Sequence, residues 1–349
     1  MGAQTKKIVV IGGGTGTYTV LSGLKKYAVD PVRNSPSQPF GRASAGEISN
    51  GVELSAIVTM ADDGGSTGIL RHELGVLPPG DVRQCLVALS EAPEMLRDLF
   101  LYRFPDGTLA GHNFGNLFLS AMEKVTGHFE DAVLTAGKIL NIKGRVIPVS
   151  IEPMVLMAEY ENGQVLTGEY NIGTARMGKI KKMVLEREVR ATASAINAIL
   201  GADLVIFSPG DLYTSLIPNF LVSGITEALR RTPAKVAYVV NLMTKRGETD
   251  GFGAYDFISE LEKYLGPNVI DCIFINTGIP TREMLELYKE EDEHMVSHDV
   301  EKFSGKNYRV ISGDFISQIV FEKNAIDKLK RSLLRHDSEK LAKTFLGLL

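Results

Sequence analysis

Two adjacent carboxylates run straight into glycines and hydroxyls in Thr59-Met60-Ala61-Asp62-Asp63-Gly64-Gly65-Ser66-Thr67-Gly68, the stretch of this chain best suited to chemistry. Aspartate oxygens are hard ligands, so Asp62 and Asp63 could hold a magnesium ion that phosphates also coordinate. Glycines let backbone N–H groups approach phosphate oxygens with no Cβ in the way. An acidic surface turn has the same composition, so the stretch alone leaves site and turn both open.

A second glycine run, Gly12-Gly13-Gly14-Thr15-Gly16-Thr17, follows the β-branched residues 7–11 and precedes a helical pattern reaching about residue 26. Strand, glycine turn and helix are the arrangement in which a pyrophosphate meets a helix N-terminus. The dinucleotide pattern is incomplete, because Thr17 stands where a third glycine is expected, and no P-loop lysine follows. The loop therefore supports phosphate or nucleotide binding and discriminates poorly among nucleotides. An NAD-dependent oxidoreductase is disfavoured by Thr17 and by the second aspartate, which ribose binding does not need.

The elements that must position these loops read as an α/β protein. After the acidic loop, helical runs are expected at 82–90, 94–101, 117–125 and 129–140. Short strands at 145–149, 155–160, 165–168 and 180–185, with an Asn162-Gly163 turn, suggest a small antiparallel excursion spanning 145–185. Regular alternation resumes with helix 190–200, strand 204–208, helix 219–230, strand 236–242, helix 255–265 and strand 269–276. A strand near 309–312 and helices at 324–334 and 338–346 complete the pattern, the last two forming a helical tail over 324–349. Strands alternating with helices imply one mostly parallel, Rossmann-like sheet with helices on both faces. Residues 29–51, rich in proline, glycine and serine, read as a flexible insertion in this single domain.

Ligands in such sheets bind beyond the carboxyl ends of the strands. Besides the glycine and acidic loops, those positions carry Ser208-Pro209-Gly210-Asp211-Leu212-Tyr213-Thr214-Ser215, Asn241-Leu242-Met243-Thr244 and Asn276-Thr277-Gly278. Five strand ends with glycine, hydroxyl or amide groups on one edge make a shared site the better reading. His112, Asn113 and Asn116 lie at a predicted helix start, where Asn113 is equally suited to capping. Arg71 and Arg83 suit phosphates or the acids Glu73 and Asp81. His294 and His298 have the spacing of a metal pair, yet the acidic run around them reads as a solvated segment.

Bulk composition narrows the class. The chain has 349 residues, 44% of them hydrophobic, with a net charge of −4. That charge provides no basic field for a DNA or RNA polymer. Cys85 and Cys272 sit in apolar runs and suggest neither zinc nor a disulfide framework. With no signal-peptide pattern and no run long enough to span a bilayer, a cytoplasmic protein is expected.

Taken in order, the glycine loop, the acidic loop, Pro79-Gly80-Asp81-Val82-Arg83, Gly111-His112-Asn113-Phe114-Gly115-Asn116, the Ser208 loop and Asn241-Leu242-Met243-Thr244 closely resemble the gluconeogenesis factor family. That family is related to the 2-phospho-L-lactate transferases of deazaflavin coenzyme synthesis. The resemblance runs from Lys7 into the tail. It implies a nucleotide-sugar ligand such as UDP-glucose or UDP-N-acetylglucosamine and a role in cell shape and in growth on gluconeogenic carbon sources. A regulatory protein partner and a homodimer are compatible with it. It also implies binding roles for Gly14, Thr15, Gly16, Asp62, Asp63, Ser66, Asn116, Ser208, Gly210, Tyr213, Thr214, Ser215 and Asn241. The alternative is a magnesium-dependent transferase of phosphoryl or nucleotidyl type, with Asp62 and Asp63 matching the relatives' metal-holding acids. Two departures stand out: the 29–51 insertion, and Lys245-Arg246 where a glutamine and a neutral residue are expected.

Overall fold

The computed structural model describes residues 5–29, 51–318 and 333–349. Seven strands form one sheet in which every neighbouring pair is parallel. They are β1 (Lys6–Gly12), β2 (Val52–Val58), β3 (Arg145–Pro148), β7 (Leu204–Phe207), β8 (Lys235–Val239), β9 (Cys272–Asn276) and β10 (Arg309–Gly313). A separate antiparallel sheet holds β4 (Leu156–Tyr160), β5 (Val165–Thr167) and β6 (Ile180–Leu185) in the order β5-β4-β6. Residues 8–12 of β1 and all of β7 and β9 are buried without alternation, which marks strands covered on both faces by other layers. The core is continuous through these strands.

The order of the large sheet is β10-β9-β8-β7-β1-β2-β3. The chain builds outward from β1 through β2 to β3, then returns to the other side of β1 and builds outward again through β7 to β10. The reversal places a topological switch point between β1 and β7, and open α/β sheets bind ligands in the crevice beyond such a point.

Among the described residues, seven α-helices lie between β1 and β6 along the chain: α1 (Gly14–Leu24), α2 (Gly65–Leu74), α3 (Gly80–Leu89), α4 (Glu94–Leu101), α5 (Phe114–Thr126), α6 (Phe129–Ile139) and α7 (Glu169–Thr174). The N-caps of α1 and α2 are Gly13 and Gly64, neither with a side-chain capping bond. By contrast, Asn113 caps α5 by accepting from the Asn116 N–H at 3.2 Å. At neither the α1 nor the α2 start does the N-cap residue's own side chain satisfy a first-turn N–H group.

The α/β class, the parallel sheet and the small antiparallel excursion agree with the sequence reading. Arg145–Pro148 does not belong to the excursion: it pairs parallel with β2 as the edge of the large sheet. The excursion's own strands are β4, β5 and β6, and α7 lies between the last two. The stretch read as one helix over 219–230 is instead the end of a short helix Ile217–Phe220, which follows a π-helical turn at Leu212–Leu216, and a second helix Ile225–Arg231. Gly224 at φ 98° separates the last two, a conformation that glycine adopts freely. Most of the insertion and most of the helix expected at 324–334 lie outside the described residues, whereas Ser338–Leu346 is helical as read. Among the described residues, no helix is long and apolar enough to cross a membrane.

Candidate functional site

Three strand-end loops meet at the switch point through direct contacts. Thr17 and Ser208 join the loop after β1 to the loop after β7, their hydroxyl oxygens 2.7 Å apart and both side chains buried. The Thr17 hydroxyl thus ties α1 to the neighbouring loop. Gly210 and Asn241 join the loops after β7 and β8 reciprocally: the Gly210 N–H donates to Asn241 Oδ1 at 3.1 Å, and Asn241 Nδ2 donates to the Gly210 carbonyl at 2.7 Å. Gly16 lies against the Pro209 carbonyl group, so α1 approaches this loop more closely than any side chain would allow.

The acidic loop contributes differently from expectation. Both Asp63 oxygens accept backbone N–H groups at the start of α7, Oδ2 from Glu169 at 3.0 Å and Oδ1 from Tyr170 at 2.7 Å. Asp63 is thus the clamp that docks the antiparallel excursion onto the sheet edge. Replacing it with alanine is expected to cost about 1 kcal/mol, the usual value of a lost helix cap. A shift of the denaturant midpoint measures this, and an unchanged midpoint would show that the clamp carries no weight.

Asp62 faces the site interior. Its Oδ1 accepts from the Gly64 N–H at 3.0 Å, and a Cβ built on Gly80 would lie 2.5 Å from its Oδ2. Burial raises its carboxyl above the usual range, with a further push from Asp63, while Gly64, Thr67 and Arg71 pull the other way. Arg71 donates to the Asp62 carbonyl at 2.7 Å and to the Met154 carbonyl at 3.0 Å, so it braces the loop from behind.

Four acidic residues outside the expected set of binding residues complete its electrostatics. Asp81 lies against the glycine loop, its Oδ1 3.7 Å from a Cβ built on Gly14. Glu169, at the start of α7, is pushed up to about 9 by burial and by the charges of Asp62, Asp211 and Asp81. Glu248, 3% exposed, is raised to about 7, chiefly by burial. Lys245 sits between Asp211 and Glu248, its Nζ 2.5 Å from an oxygen of each. Burial alone would lower the Lys245 ammonium, but Asp211 and Glu248 outweigh it and the net shift is upward. The Lys245 departure noted in the sequence thus supplies the counter-charge of an acidic cluster.

The remaining site residues divide clearly. Gly14, Thr15, Gly16, Ser208, Gly210, Ser215 and Asn241 belong to the loops at the switch point, with Thr15 and Ser215 half-buried. Ser66 and Asn116 share a buried network with His112 and Arg83. Tyr213 is 1% exposed, and its phenol is pushed up by burial and by Glu260, so its side chain belongs to the core and only its backbone is left to face a ligand. Thr214 is equally buried, and its Oγ1 has no partner among the described residues.

Each Asp63 oxygen already accepts one backbone N–H and Asp62 Oδ1 accepts one from Gly64, so these carboxylates could hold magnesium only through their remaining lone pairs. Among the described residues, no cluster of three or more His, Cys, Asp or Glu is arranged to hold a metal ion, the His294 region included.

Comparison with known proteins settles the family. The chain is 38% identical over 348 residues to the gluconeogenesis factor of Bacillus subtilis, covering 99% of both. It belongs to the gluconeogenesis factor family. The family counterpart in Listeria innocua is 37% identical over 353 residues, covering 100% of this chain and 98% of that one. Residues 8–316 also match the family described as 2-phospho-L-lactate transferase CofD. A crystal structure of a UPF0052 family member from Bacillus halodurans superposes with a TM-score of 0.86 at 36% identity, covering 99% of this chain and all of that one. The gluconeogenesis factor fold thus extends over essentially the whole chain.

Proposed function

We propose that this gluconeogenesis factor binds a nucleotide-sugar, of the UDP-glucose or UDP-N-acetylglucosamine class, with its diphosphate in the crevice between the loops after β1 and β7, as a cytoplasmic sensor whose bound state bears on cell shape. The observation that carries the reading is the pair of uncapped helix N-termini, α1 and α2, beside interlocked strand-end loops at the switch point. Unsatisfied N–H groups at a helix start are the standard receptor for a phosphate oxygen. Magnesium that arrived with the diphosphate would be held on the protein side by Asp62 and the remaining lone pairs of Asp63, and would neutralise phosphate charge there.

Calorimetry with UDP-N-acetylglucosamine, UDP-glucose, GDP and NAD, each with and without magnesium, tests the proposal. A saturable heat with a uridine nucleotide is expected, and silence with every uridine ligand sinks it. Turnover of a nucleotide donor, lost in Asp62→Asn, would move the chain to a transferase reading, which the match to the 2-phospho-L-lactate transferase family favours.

A further inference from the structure

We infer that a one-way hydrogen-bond chain from Arg83 through Asn116 and Ser66 holds His112 as its Nε2–H tautomer, making His112 a fixed donor to a ligand phosphate beside the start of α2. The direction follows from the inventory of donors. A guanidinium only donates. Arg83 Nε lies 2.8 Å from the Asn116 side chain, which fixes Oδ1 as the acceptor and turns Nδ2 away from the guanidinium. That Nδ2 donates to Ser66 Oγ at 3.5 Å, and the Asn113 backbone N–H donates to the same oxygen at 3.4 Å.

A hydroxyl oxygen accepts two hydrogen bonds and donates one. With both acceptor positions of Ser66 filled, its proton is left for His112 Nδ1, 3.1 Å away. Nδ1 is therefore the acceptor, and the imidazole proton sits on Nε2. Arg83 and Asn116 are each 3% exposed, Ser66 5% and His112 9%, so water does not compete for these positions. Asn113 is locked as well, because its side chain caps α5. His112 Nε2 makes no hydrogen bond with any described residue. Ser66 stands in the first turn of α2, whose N-cap provides no side-chain partner, so the His112 network lies at the start of that helix. The donor role rests on the diphosphate reading proposed for the crevice, and the tautomer does not.

Long-range proton–nitrogen NMR on protein labelled with 15N-histidine reads each ring nitrogen directly. His112 is one of six histidines and is assigned by its loss in His112→Gln. A bare Nδ1 and a protonated Nε2 are expected in the wild type. Asn116→Asp, whose carboxylate accepts the Ser66 proton, should move the imidazole proton to Nδ1, and Ser66→Ala should give a mixture. If either variant fails to fold, the wild-type spectrum still decides: a protonated Nδ1 or a mixture of tautomers overturns the chain. Inorganic pyrophosphate should shift the His112 Nε2 signal, and pyrophosphate that binds by calorimetry without shifting it overturns the donor role. Failure of uridine nucleotides to bind would count against the ligand reading alone and leave the tautomer standing.

Discussion

Gly16→Ala is expected to destabilise the protein by about 3 kcal/mol and to abolish nucleotide binding, the largest effect of any single methyl group at this site. The added carbon would lie 2.5 Å from the Pro209 carbonyl carbon and closer still to its oxygen. Both sides of that clash are backbone, α1 on one and the loop after β7 on the other, so no flexible side chain can give way. Overpacking at this level costs roughly 1–3 kcal/mol when neighbours adjust, and here the only adjustment is to part α1 from the loop. Such a movement stretches the contact between Thr17 and Ser208, the seam of the proposed diphosphate crevice.

Gly75→Ala separates this steric effect from the conformational cost of losing glycine. Gly75 ends α2 at φ 61° with nothing within 4 Å of a built Cβ, so its replacement costs only the left-handed backbone penalty of about 1 kcal/mol. Urea midpoints of the two variants should differ accordingly, and binding should survive Gly75→Ala. Equal midpoints would mean that the close approach at Gly16 is not a constraint.

The loops were legible in the sequence because glycine and hydroxyl residues at strand ends have a local signature, and so were the parallel sheet and the Asn113 cap. What escaped was settled by tertiary contact. Asp63 resembles Asp62 in sequence, and only the docking of α7, an element from the other sheet, commits its two oxygens to N–H groups. The stretch up to Gly68 read as loop because Gly64-Gly65-Ser66-Thr67-Gly68 has the composition of one, yet Gly65–Leu74 forms α2. Tyr213 sits among site residues in sequence and turns inward because the π-helical turn carries it toward Glu260. Glu169 gave no signal at all, since its neighbours in the chain are unremarkable and its partners are about 40 to 110 residues away.

Glu169 is nevertheless expected to contribute most to the pH dependence of stability. Burial and the neighbouring acids push its folded carboxyl up to about 9, and burial chiefly pushes that of Glu248 up to about 7, against an ordinary glutamate value of 4.5. Between 4.5 and those values the folded state holds protons that the unfolded chain has released. Stability therefore falls as pH rises through that window, and the loss is complete only above the folded values. One pH unit is worth about 1.4 kcal/mol per group, so near pH 7.5 the ceiling for Glu169 is about 4 kcal/mol. Glu169 is only half-buried, and solvent screening brings the expected effect to roughly 2 kcal/mol. Glu169→Gln keeps the shape, removes the proton uptake and should raise stability at pH 7.5 by that amount while flattening the decline that remains in the parent protein. Urea unfolding at several pH values between about 5 and 9 measures both quantities. Parallel stability curves for the two proteins would show that Glu169 is not the group being titrated. The same carboxyl opposes an anionic ligand once it ionises, so diphosphate affinity should weaken over the alkaline part of the range in the parent and less so in Glu169→Gln. That joint behaviour would tie the acidic cluster around α7 to the crevice at the switch point, with Glu169 reporting on both.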